Sequence, residues 1–198
     1  MDSLILNLFK AAQFAVIVAF TYFISDHRKK NQSSPLINEK LLTTIKLSYI
    51  LPVAIYSYVI LMLPSVSWFD VLALAITSSG TALTATAKLT LSNKHTWAGY
   101  CYASAECFVA KGIYAYIRHP LYTGVYVTIL GGALTLIPNL AWFPTLIVGL
   151  SMLYVVVFLA VVANRENKYL ARKFGAPYKE YVTQVHPFLP FKKFNQPI

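Results

Sequence analysis

The run Arg118-His119-Pro120-Leu121-Tyr122-Thr123-Gly124 brings a guanidinium, an imidazole and a phenol together at the mouth of a long apolar segment. Proline suits the first position of a helix, because its missing N–H would be unpaired there anyway and its φ is already helical. A helix is therefore predicted to start at Pro120. The free N–H groups of its first turn make an anion site, to which Arg118 and His119 add donors of their own. A cofactor carboxylate or phosphate could dock there. Taken alone, the same residues also fit a flanking charge and an ordinary helix start, so the reading depends on what surrounds them.

What surrounds them is more polar chemistry. Glu166 stands where another apolar helix emerges, near that helix's end, and so meets neither a favourable dipole nor an attractive anionic headgroup. It is expected to have a positive or hydroxyl-bearing partner, a solvated surface carboxylate being the competing account. Arg165 projects about a quarter turn away and can reach the headgroup zone without simply pairing with Glu166. Beyond the stop at Gly175, Pro177 starts another turn on which Tyr178 and Tyr181, three apart, share a face and could line a pocket. Tyrosines of an interfacial belt would look the same one at a time.

The elements that position these groups follow from composition. With 57% hydrophobic and 12% charged residues among 198, and a mean hydropathy of +0.56, the chain has too little polar surface for a soluble globule. Five apolar stretches, residues 4–25, 47–63, 67–87, 121–137 and 141–163, approach the roughly 20 residues that span a bilayer core. Short links containing Pro64 and Pro138 make hairpins of the second with the third and the fourth with the fifth. Basic residues from Arg28 to Lys46, from Lys88 to Arg118 and from Arg165 to Lys193 fall on one side, which the positive-inside rule makes cytoplasmic. Lys10, alone on the other side, lies inside the first stretch and could snorkel. An odd number of spans then leaves the N-terminus outside. Asp2 and the lack of a small-x-small cleavage site favour an uncleaved anchor over a signal peptide.

Several classes drop out. The net charge of +10 comes with no aromatic-basic RNA motif and no recognition helix, so it reflects membrane orientation and not nucleic-acid binding. Cys101 and Cys107 fall on the cytoplasmic side with no partnering histidine spacing, which implies neither a disulfide nor a metal site. A transporter or scaffold is disfavoured because the spans carry only Lys10 and Asp70, near their ends.

Taken in order, Phe108 to Tyr114, Arg118 to Gly124, a helical hairpin, Glu166, Leu170, Phe174-Gly175, Tyr178, Tyr181 and Pro187-Phe188-Leu189-Pro190 resemble the isoprenylcysteine carboxyl methyltransferases and their phospholipid methyltransferase relatives. The Arg-His-Pro-x-Tyr core also occurs in membrane sterol reductases that bind a nicotinamide cofactor, which keeps a reductase as an alternative; those enzymes are larger. The methyltransferase resemblance implies S-adenosylmethionine as cofactor, with Glu106, Cys107, Phe108, Val109, Tyr114, His119, Pro120, Leu121, Tyr122 and Glu166 lining it. Arg118 and Tyr178 join that group on the reading above. This chain departs from relatives in having Glu106 where a histidine is common, Glu166-Asn167 where paired acids are common, and Ala160-Val161-Val162 where a substrate-binding arginine is expected.

The expectation is thus an all-α polytopic membrane protein with about five transmembrane helices and a cytoplasmic cofactor-binding cap. It forms a single domain over residues 1–198, with three spans in residues 1–87 and the catalytic part in 88–198. Its substrate would be a lipidic small molecule or a prenylated protein or peptide, most concretely the carboxylate of an isoprenylated cysteine, with a phospholipid amine or small thiol as alternatives. Arg165 would orient that acceptor and Glu166 would serve in the reacting centre. A carboxylate is already ionised at pH 7 and needs no base. The membrane would be endoplasmic reticulum in a eukaryote and plasma membrane in a prokaryote.

Overall fold

The structure, a computed structural model, describes residues 3–25, 33–35, 39–91, 100–102 and 108–190. Its elements are α1 (Ser3–Ile24), β1 (Ser33–Pro35), α2 (Glu39–Ser48), α3 (Ile50–Met62), α4 (Trp68–Leu91), β2 (Tyr100–Tyr102), α5 (Pro120–Leu136), α6 (Trp142–Phe174) and α7 (Ala176–Gln184). Among the described residues five helical runs are long and apolar enough to cross a membrane, so the architecture is that of an all-α multi-pass membrane protein. One small feature lies outside it, an antiparallel ribbon in which Ser33 of β1 faces Tyr102 of β2. The second span, Thr43–Met62, is interrupted at Tyr49 between α2 and α3. Pro52 accounts for the interruption, since it has no N–H to return to the Ser48 carbonyl one turn earlier.

Polar and aromatic residues register the helices at common levels. Trp68 and Phe69 open α4, Trp142 and Phe143 open α6, and all four rings are strongly exposed, as befits the membrane interface. About 20 residues further on, the two helices reach Lys88 and Val162, the opposite boundary. Ser25 at the end of α1 lies at that boundary too, because Lys88 Nζ donates to its carbonyl. Lys10 does more than snorkel, since its Nζ donates to the Leu61 carbonyl at 2.7 Å and so caps the last turn of α3. At the start of α4, Ser67 and Asp70 form a reciprocal cap. The Ser67 N–H donates to Asp70 Oδ2 at 2.8 Å and the Asp70 N–H to Ser67 Oγ at 3.3 Å.

The α4–α5 pair is the spine of the bundle, and small residues make it possible. A Cβ added at Gly80 would stand 2.5 Å from the Thr128 backbone nitrogen, and one at Gly131 would stand 2.6 Å from that of Thr77. In a bilayer, where helices gain little by leaving lipid, such close backbone approach is what holds them together. Two buried clusters surround this spine. One contains Ile24, Tyr114, Leu121, Tyr122, Leu159 and Val162; the other contains Phe9, Tyr56, Ile60, Leu136 and Val148.

Candidate active site at the polar end of the bundle

Chain geometry before α5 brings the site together. Gly112 adopts φ +60°, where a side chain would be strained, and turns residues 112–115 into a 3-10 turn that buries Tyr114. Next, Ile117 pairs in parallel with His186. The Arg118 and His119 N–H groups donate to the carbonyls of His186 at 3.0 Å and Pro187 at 2.9 Å. A C-terminal segment thereby straps the start of α5. Thr123 Oγ1 adds a donation to the Phe188 carbonyl at 3.2 Å, and the helix begins at Pro120.

Across from this start, α6 presents Glu166, buried despite its charge. The Tyr122 hydroxyl donates to Glu166 Oε1 at 2.5 Å, the hydroxyl partner that the carboxylate's position calls for. His119 stacks on the Tyr122 ring, centroids 5.6 Å apart and planes 11° apart, with Nδ1 3.6 Å from Glu166 Oε2. Burial and then the Arg118 guanidinium push the His119 imidazole down to about 4, so it is neutral at pH 7. The neutral ring carries a single proton, and the carboxylate beside Nδ1 favours it there, which makes Nε2 an acceptor. This differs from the donor role expected of His119, and the cause is its burial, with the Tyr122 ring 5.6 Å away, the Phe188 ring 5.8 Å away and Glu166 beside Nδ1.

A second layer forms around Asn167. Arg118 Nη1 donates to Asn167 Oδ1 at 3.2 Å and the Tyr178 hydroxyl donates to the same oxygen at 2.7 Å. Phe108 packs within 5.1 to 5.6 Å of the rings of Phe174, Tyr178 and Tyr181. The Tyr181 hydroxyl donates to the Tyr114 carbonyl at 2.6 Å. Burial pushes the Tyr114 and Tyr181 hydroxyls up, so both stay protonated.

Phe108, Tyr114, Arg118, His119, Pro120, Leu121, Tyr122, Glu166 and Tyr178 therefore converge, and Val109 packs against the adjoining core. Arg165 is exposed on another face of α6 and does not join them. Glu106 and Cys107 lie outside the described residues. Asn167 is the member that sequence reasoning passed over, noted only as a missing acid; its position beside Glu166 was the one available clue.

Two buried atoms here, Arg118 Nε and His119 Nε2, have no hydrogen-bond partner among the described residues. A buried donor and a buried acceptor left unpaired each cost about 1–3 kcal/mol, and a ligand bearing carboxylate, amine or hydroxyl groups would satisfy both. That is the polar inventory of a methionine-and-ribose cofactor, and the residues fit it.

Directly beneath runs an apolar cavity between the helices, open on one side, with a volume of about 110 Å³ and lined by Phe20, Ile24, Tyr56, Leu121, Tyr122, Val125, Ile129, Gly132, Leu136, Leu159 and neighbours. From Tyr122 to Leu136 it follows α5 for about 21 Å at 1.5 Å per residue. Tyr122 belongs to both compartments, with its ring on the cavity and its hydroxyl on Glu166.

No curated protein matched the chain in a sequence comparison. The family model for phospholipid methyltransferases matches residues 68–177, more than half of the chain and the stretch that holds α4, α5, α6 and most of the polar cluster, and the chain accordingly belongs to the phospholipid methyltransferase family.

Proposed function

We propose that this protein transfers a methyl group from S-adenosylmethionine to the polar head of a lipid whose tail lies in the apolar cavity, at the membrane face that looks onto the cytoplasm. The observation that carries the reading is Tyr122, the residue shared by the apolar interhelical cavity and the polar cluster. When bound, the cofactor supplies an electrophilic methyl on a sulfonium. The chain's own residues do the rest. Arg118 and His119 offer the unpaired nitrogens that would hold its methionine end, and Glu166, fixed by Tyr122, is suited to its hydroxyl or ammonium groups. Tyr114, Tyr122 and Tyr178 supply electron-rich faces for a cation. Methyl transfer is an in-line displacement, so alignment and exclusion of water are the main requirements, and helix-borne groups under a strap meet both.

For the acceptor we favour a prenylcysteine carboxylate. Such a nucleophile is already ionised at pH 7 and needs no general base from the cluster. A phospholipid amine is the second reading, favoured by the matching family model. The test is thermal stability of the purified chain in detergent. S-adenosylhomocysteine at about 100 times its Kd should stabilise it by about 2.7 kcal/mol, and NADPH should not. The reverse result would make it a reductase. Methylation of prenylcysteine acids, phosphatidylethanolamine and small thiols, assayed side by side, then identifies the acceptor.

A further inference from the structure

The outer face of α6 changes chemistry without changing direction. Leu150, Leu153, Val157 and Val161 are 47 to 58% exposed and spaced by three or four residues, so they form one stripe facing lipid. The same spacing continues through Arg165, Lys168 and Arg172, all exposed. Glu166, the sole carboxylate of α6, is buried and about 100° around the helix from Arg165, so the residues α6 itself places on this stripe past Val161 are basic.

Length fixes its level. α6 has 33 residues, about 50 Å at 1.5 Å each, and the first 20 or so cross the hydrocarbon. Arg165 then lies about 5 Å past the core, Lys168 about 9 Å and Arg172 about 15 Å. Helical side chains lean toward the N-terminus of their helix, which here is the bilayer side, so all three reach back toward the phosphates.

We infer that Arg165, Lys168 and Arg172 form a binding surface for anionic phospholipid headgroups on the outside of the bundle, separate from the cavity and the polar cluster. Each charge contributes about fivefold in affinity. The inference rests on the membrane crossing alone and is independent of methyl transfer.

The experiment uses the full chain in mixed micelles, with retained lipid counted by native mass spectrometry. Wild type should hold phosphatidylglycerol in preference to phosphatidylcholine, and salt should erode the preference. The Lys168→Gln/Arg172→Gln protein should bind phosphatidylglycerol on the order of 30-fold more weakly, whereas Lys168→Arg/Arg172→Lys should keep it. Equal retention of the two lipids by wild type overturns the inference, as does undiminished phosphatidylglycerol binding by the neutralised variant. If that variant does not fold, the wild-type preference and its salt dependence decide.

Discussion

Replacing Glu166 by Gln is the most direct probe of the cluster. The change is nearly isosteric, and Glu166 sits beyond the about 20 residues of α6 that cross the hydrocarbon, so helix packing should survive. What disappears is the charge on a buried group that accepts from Tyr122 at 2.5 Å and faces His119 Nδ1 at 3.6 Å. A hydrogen bond to a charged group is worth about 1.5–3 kcal/mol, so losing one such contact to the cofactor should weaken binding about 10- to 150-fold. Tyr122→Phe leaves the carboxylate charged but loosely held, and should cost less, about 0.5–1.5 kcal/mol or 2- to 12-fold. Because both changes remove the same contact, the double variant should be weaker than wild type by less than the product of the two factors. Titration calorimetry with S-adenosylhomocysteine on all four proteins measures this. Unchanged affinity in Glu166→Gln would refute the assignment and move the cofactor away from the Tyr122–Glu166 pair.

Gly80→Ala should lower stability by about 1–3 kcal/mol, because its Cβ would meet the Thr128 backbone nitrogen at 2.5 Å and the Gly124 carbonyl oxygen at 2.7 Å. Gly149→Ala, with nothing within 4 Å, should be tolerated, and melting in detergent compares the two. Folding holds the His119 imidazole at about 4 against an ordinary 6.5. Nothing is lost at pH 7, where both states are neutral. As pH falls from about 6.5 toward 4 the unfolded chain takes a proton that the folded one refuses, removing up to about 3 kcal/mol. Melting curves recorded from pH 7 to 4.5 should show that slope in wild type and a shallower one in His119→Gln.

The spans were legible because hydropathy and length are one-dimensional properties, and so were the ends set by breakers: Pro120 opens α5 and Gly175 closes α6. A lysine is no breaker, which is why α4 runs past Ala87 and Lys88 to Leu91. The interruption at Tyr49 had a readable cause in Pro52. The ribbon had none, since three-residue strands have no measurable period and its partners stand far apart in the chain.

Within the site, residue types were readable and their phase was not. Arg165 and Glu166 are neighbours in sequence, yet about 100° of helical rotation sends one toward lipid and the other toward Tyr122. Only the apolar residues that precede them reveal which face is which: Val162 and Leu159 are buried, while Val161 and Val157 are exposed. Arg118 enters the cluster by a different route, because its backbone pairs with His186, past the end of the matched region. No local pattern announces that pairing. It is also the contact that brings Phe188 against His119 and so adds to the burial that holds the imidazole neutral as the pH falls, which ties the chemistry of the most conspicuous motif to a segment roughly 70 residues downstream of it.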